Sequence, residues 1–143
     1  MREKRLLVGI YAVNNKKIPE GELHGNPDSL LKLAADLSSE KLPLECSLDV
    51  RHDESTYPYD DFLSGYQIIN DTEPIQVKLE GSTLVIMGSL ETRKNLASRI
   101  EWLARSAIMP DDRGRHIHLD DYPCKDYLSP KSRIKSLVFV LRD

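Results

Sequence analysis

The sequence predicts an α+β fold made of two tandem ββαββ repeats, with mainly antiparallel sheet and two helices packed on it. Three observations carry this expectation. First, HGNPDSLLKLAADL (24–37) lines up without gaps with MGSLETRKNLASRI (87–100), and YPYDDFLS (57–64) with YPCKDYLS (122–129), at offsets of 63 and 65 residues. Two blocks in the same order at nearly the same offset mark a duplicated unit of about 65 to 70 residues. Second, each copy carries one apolar stripe at helical spacing. Third, the segments between the helices alternate apolar and polar residues with the period of a strand.

Taken in order, Leu6 to Val13 and Glu22 to His24 read as the first strand pair, joined by a long loop. Asn26 then suits an N-cap, Pro27 the first helical position and Asp28 the positive end of the helix dipole. Leu30, Leu33, Ala34 and Leu37 follow at i, i+3, i+4 and i+7, which puts them on one face. Leu44 to Val50 and Tyr66 to Asn70 read as the two strands after the helix. In the second copy, Ile75, Val77 and Leu79 alternate with polar residues, Gly81-Ser82 supplies a turn, and Thr83 to Met87 returns as the second arm of a hairpin. Ser89 caps the second helix, with Glu91 in its first turn and Leu96, Ala97, Ile100, Leu103, Ala104 and Ala107 on its stripe. His116 to Leu119 and Ser136 to Leu141 close the copy. LVFVL is apolar at every position, as a central strand covered on both faces requires. The repeats divide at 1–70 and 71–143, and with no Gly/Ser or Pro-rich linker between them they are expected to fold as one cooperative domain.

Composition narrows the function classes. A chain of 143 residues with 40% apolar content can bury a core without disulfides or a structural metal. A net charge of −3 disfavours non-specific nucleic-acid binding, which needs a basic face, and makes a basic partner the natural one. Two cysteines, Cys46 and Cys124, without C-x-x-C spacing fit a reducing compartment and no disulfide framework. The basic start followed by LLVGIYAV imitates a secretory signal. Its apolar run is only eight residues long, however, with no A-x-A site after it, and no run reaches membrane-spanning length. A cytoplasmic protein, with no membrane association and no cofactor, is expected.

Three sets of residues are candidates for chemistry. On a strand, His116 and His118 share a face with Asp120 beyond them, a spacing that can bind a divalent metal such as zinc. The first copy aligns Glu45, Ser47 and Asp49 with these positions, so the fold itself does not require the imidazoles. This leaves a metal-binding domain or metal-dependent enzyme as the alternative to a non-enzymatic protein. Nucleophilic catalysis lacks support: there is no G-x-S-x-G elbow, P-loop, G-x-G-x-x-G or H-E-x-x-H. The third set comprises Tyr57, Tyr59, Asp60 and Asp61 in one turn and Asp120, Asp121, Tyr122, Asp126 and Tyr127 in the other. Tyrosine gives contact area at low entropic cost and clustered carboxylates speed encounter with a basic surface, so these nine form the expected partner-binding surface. Recurrence of the YPxxD(F/Y)LS pattern also assigns part of it to turn-making.

TLVIMG, NLASRIEWLA, HIHLDD, YLSPKS and SLVFVL together resemble a bacterial immunity-protein family found beside polymorphic toxins. The resemblance covers about the last 70 residues and rests most on His118-Leu119-Asp120 and Leu128-Ser129-Pro130-Lys131-Ser132. It implies a mostly β or α+β cytoplasmic antidote that neutralises a cognate toxin, often a nuclease, by binding it. It brings no catalytic residues with it. The first copy departs from the pattern, lacking both histidines and having Ser64-Gly65 where the second has Ser129-Pro130, so one functional and one structural half is expected. The expected assembly is a monomer or homodimer that binds a protein toxin with a basic surface.

Overall fold

The structure is a computed structural model that describes residues 8–12, 20–48, 61–72, 74–106, 115–120, 129, 132–133 and 136–141. Nine strands and two helices follow one another among these residues: β1 (Val8–Ala12), β2 (Glu20–Gly25), α1 (Pro27–Leu37), β3 (Leu44–Ser47), β4 (Asp61–Leu63), β5 (Gly65–Asn70), β6 (Gln76–Glu80), β7 (Thr83–Gly88), α2 (Leu90–Ala104), β8 (Arg115–Asp120) and β9 (Ser136–Leu141). Strand order is β4-β1-β2-β9-β8 in one sheet and β3-β5-β7-β6 in the other.

The α+β class and both helices match the sequence expectation, whereas the sheets are mixed rather than antiparallel throughout. β1–β2, β1–β4, β3–β5, β6–β7 and β8–β9 run antiparallel, but β2–β9 and β5–β7 run parallel. The parallel joins arise because β5 leaves its own half to pair with β7, while β9 returns across the chain to pair with β2. Each sheet therefore draws strands from both halves. Both joins have the same register. Ser136–Leu141 lies along Glu20–Gly25 and Gly65–Asn70 along Thr83–Gly88, each ending at the glycine that precedes a helix cap.

At those two junctions the capping chemistry is as the residue types dictate. The Asn26 side chain accepts a hydrogen bond from the Ser29 amide at 2.9 Å, and Ser89 Oγ accepts from the Thr92 amide at 3.2 Å. Gly88 is closely packed: a Cβ there would stand 2.7 Å from Ile75 Cδ1 and 3.0 Å from Thr92 Oγ1, so those side chains would have to shift to admit one. Gly81 meets a different demand, opening the β6–β7 turn at φ 62°, where a side chain would be strained. α2 ends at Ala104, and Ala107 of the expected stripe lies outside the described residues.

The buried residues form one cluster. Leu23, Ile117 and Phe139 come from the first sheet, Tyr66, Ile68, Val77, Leu84 and Ile86 from the second, Leu30, Leu33 and Leu37 from α1, and Leu96, Ile100 and Leu103 from α2. The helices pack against each other as well as on strands. At about 1.5 to 3 kcal/mol for each large side chain removed from water, this shared cluster is the main stabilising term. Val140 and Val85 are also buried but lie outside the cluster, on the opposite faces of the central strands β9 and β7. LVFVL is thus covered on its core face and partly on the other, where Val140 is buried and Val138 half-buried.

Arg93 is the largest side chain in the interior, 1% exposed, and stands on the inner face of α2. Its Nη1 donates to the Leu37 carbonyl at 2.7 Å and the Ser39 carbonyl at 2.9 Å. Nε donates to the Gly88 carbonyl at 3.0 Å, and Nη2 to Asn70 Oδ1 at 3.2 Å. Burial lowers its pKa, which in the neutral range leaves the guanidinium charged.

A second device protects an edge. Ser129 and Arg133 donate backbone hydrogen bonds to the Ile75 and Val77 carbonyls, at 2.7 and 3.1 Å, along the outer side of β6. Ser132 Oγ accepts from the Val77 amide at 2.9 Å and donates to the Val77 carbonyl at 3.1 Å. The serines of the Leu-Ser-Pro-Lys-Ser motif thus cap a strand that would otherwise present open backbone groups. In the other sheet the equivalent outer strand, β1, is covered by β4, which the sequence reading took as part of a turn.

Two outcomes follow. Arg93→Met keeps the aliphatic stem but leaves the Leu37 and Ser39 carbonyls without the guanidinium donor, while the Gly88 carbonyl keeps the Asp71 amide; urea unfolding should show a loss of about 3 kcal/mol, and an unchanged midpoint would refute the clamp. Ser132→Ala should cost about 1 to 2 kcal/mol and speed hydrogen exchange at the Val77 amide specifically.

Candidate functional site

Of the first acidic turn, Asp61 lies within the described residues, and Tyr57, Tyr59 and Asp60 lie outside them. Asp61 begins β4 and pairs with Tyr11 at one margin of the first sheet. Of the second turn, Asp120 ends β8, paired with Ser136, and Asp121, Tyr122, Asp126 and Tyr127 lie outside the described residues. β4 and β8 are the two outermost strands of one five-stranded sheet. Pairings run from Asp61 through Tyr11, Gly21 and Leu137 to Leu119, next to Asp120. Asp61 and Asp120 therefore stand in adjacent register rows on opposite margins, four strand spacings or roughly 19 Å apart.

The histidines occupy the same sheet. His116 is exposed on β8 and pairs with Val140; His118 and Asp120 take the next alternate register positions, opposite Val138 and Ser136. His24 of β2 pairs with the same Val140 from the other side. Two strand spacings, roughly 10 Å, separate these backbones, too far for both rings to reach one ion with bonds of about 2 Å unless the side chains bend toward each other. His24 Nε2 instead meets Glu22 Oε1 at 2.6 Å. Among the described residues no group of three His, Cys, Asp or Glu side chains is placed to hold a metal ion.

Sheet register also adjusts the comparison between the halves. Leu44 pairs with Ile68, which lies opposite Ile86, and Ile117 pairs with Phe139, which lies opposite Leu23. Ile86 and Leu23 each stand two residues before the glycine that ends their strand. Counted this way, His118 occupies the position of Glu45 and Asp120 that of Ser47, two residues from the sequence alignment. A shift of two preserves the face, because the strand period is two.

A polar group of a different kind joins α1 to the second sheet. Tyr66, 1% exposed, donates its hydroxyl to Asp36 Oδ2 at 2.6 Å, and Lys32 Nζ donates to the same oxygen at 2.8 Å and to Cys46 Sγ at 3.4 Å. Burial, then the hydrogen bond to Asp36, push the Tyr66 pKa far above its usual value. Burial opposes the charge on Lys32, but the Asp36 carboxylate, assisted by Cys46, outweighs it and raises that pKa too. The arrangement ties α1 to β3 and β5.

One exposed residue stands apart. Trp102 on α2 is 62% exposed, the one exposed large hydrophobic among the described residues. Relative to the buried stripe of Leu96, Ala97, Ile100, Leu103 and Ala104, it falls at the middle of the opposite face. The sequence reading passed it over, although its phase, one turn from Ser98 and from Arg105, was available from the same periodicity that identified the stripe.

Residues 83–140 match the family model of Immunity protein 32, Imm32. The matched segment runs from the start of β7 through α2 and β8 into β9, and falls on the stretch in which the sequence resembles bacterial immunity proteins. No curated protein and no solved structure matches the chain.

Tyr66 links this region to pH. Its folded pKa lies above the unfolded value of 10.0, so the unfolded chain loses the proton first and stability falls as pH rises above about 10, by up to about 1.4 kcal/mol per unit. Tyr66→Phe should remove that part of the slope in pH-dependent unfolding, and equal slopes in the two proteins would contradict the assignment.

Proposed function

We propose that this protein is the cytoplasmic antidote of a bacterial toxin and acts by binding it, using the acidic, tyrosine-containing segments around Asp61 and Asp120. The observation that carries this reading is the match of residues 83–140 to an immunity-protein family. Two features of the chain support the surface. The net charge of −3 favours encounter with a basic partner, and the acidic segments begin at opposite margins of one sheet, roughly 19 Å apart, within the width of a standard protein interface. The nine residues are Tyr57, Tyr59, Asp60, Asp61, Asp120, Asp121, Tyr122, Asp126 and Tyr127; rim carboxylates act mainly on association rate and tyrosines on affinity. Long-range attraction of this kind is screened by salt, so the association rate should fall as ionic strength rises. No helix among the described residues is long and apolar enough to cross a membrane, which agrees with a partner met in solution.

The test is coexpression with the toxin reading frame beside the gene. The protein should restore growth and copurify with the toxin, with Asp60→Lys/Asp61→Lys and Asp120→Lys/Asp121→Lys each slowing association at least about tenfold. Growth arrest despite full expression, with no complex formed, would end the proposal.

A further inference from the structure

We infer that the solvent face of α2 is a second contact region for the same partner, with Trp102 as its apolar anchor inserted into a pocket whose rim is acidic. The inference rests on the binding role proposed above and adds where, and with what chemistry, the toxin is held. Within about 60° of Trp102 around the helix stand Glu91, Asn95, Ser98, Arg99 and Arg105, and Lys94 lies just beyond them. All are polar. An indole at the centre of that face brings no core packing, and tryptophan is a poorer helix former than the small or straight-chain residues that serve exposed positions. Burying it against a partner would remove roughly 150 to 250 Å² from water, and tryptophan and arginine are the residues most enriched where binding energy concentrates.

Charge selects the occupant. Lys94, Arg99 and Arg105 outnumber Glu91 and Glu101 on and beside this face, so it is cationic on a chain whose net charge is −3. Arg105 approaches Glu101 only at 3.9 Å, with both side chains exposed, and such a pair leaves the guanidinium available to a better acceptor. The face therefore suits a pocket bordered by carboxylates, unlike the basic surface suited to the margins of the first sheet. Ser106 Oγ donates to the Trp102 carbonyl at 2.9 Å, and the Arg105 amide closes on the Glu101 carbonyl, which holds the last turn in place. The backbone that carries the anchor is thus fixed before docking, so the ordering left to binding is that of the indole and its neighbouring side chains. Trp102 also lies inside the segment that matches the immunity family.

Trp102 is the sole tryptophan, so fluorine NMR of the protein labelled with 5-fluorotryptophan gives one protein resonance. Titration with the purified product of the adjacent toxin reading frame should shift that resonance. Trp102→Ala should weaken Kd at least about thirtyfold with an unchanged unfolding midpoint, Trp102→Phe by less, and Arg105→Glu at least about fivefold. Wild-type binding that Trp102→Ala leaves intact would overturn this inference and leave the binding role standing. Tighter binding by Arg105→Glu would overturn the acidic rim. A homodimer that Trp102→Ala dissociates, with toxin affinity unaltered, would assign the face to self-association instead. If the wild-type protein does not bind the toxin at all, the binding role fails first and this inference with it.

Discussion

A single buried cation organises the middle of this molecule. Arg93 reaches from the inner face of α2 to the carbonyls of Leu37 and Ser39, to the Gly88 carbonyl and to Asn70, and so touches the end of α1 and the ends of the paired strands β7 and β5. α1 has no basic residue in its last turn. The positive charge that the negative end of its dipole favours is supplied by the other helix. A charge in an apolar interior is tolerated only when its donors are matched, and here they meet three backbone carbonyls and the Asn70 side-chain oxygen. Helix packing and the parallel join of the second sheet are therefore set by one group.

Much of this was legible in the residues. Asn26-Pro27-Asp28 and Ser89 placed both helix starts, Gly81-Ser82 placed the β6–β7 turn, and LVFVL identified a central strand, because caps, turns and periodicity act within a few residues. Partner choice between strands does not. Nothing local in Gly65–Asn70 says that it lies parallel to β7, or in Ser136–Leu141 that it lies parallel to β2, since both would serve equally well beside a strand of their own half. Nor does a short run such as Asp61-Phe62-Leu63 announce itself as a strand when its partner, β1, is fifty residues upstream. Arg93 was obscured for a related reason. It falls in phase with the apolar stripe, where Leu30 stands in the corresponding position of the first half, and only the fold brings it the carbonyls it needs.

The site was legible in part. Asp61 and Asp120 fall at the margins of one sheet, an arrangement that depends on the exchange of strands between halves, and His24 joins the row of His116 through the same exchange. Trp102 needed no tertiary information, only the same helical phase read from the polar side. The serines of Leu-Ser-Pro-Lys-Ser, which contributed to the family resemblance, act as backbone partners of β6. A motif can thus mark a family through its scaffold rather than through the surface that meets a partner.

The exchange of strands also has a consequence for how the chain is made. β2 is ready early in synthesis, but its parallel neighbour β9 follows 116 residues later, and until then one side of β2 has no lasting partner. A nascent first half emerging from the ribosome must hold Leu23, Leu30 and Leu33 in a temporary collapse while translation continues. Non-local pairing of this kind slows folding and prolongs exposure of strand margins. The interval between the first strand and the last therefore sets a lower limit on how quickly the complete fold can form.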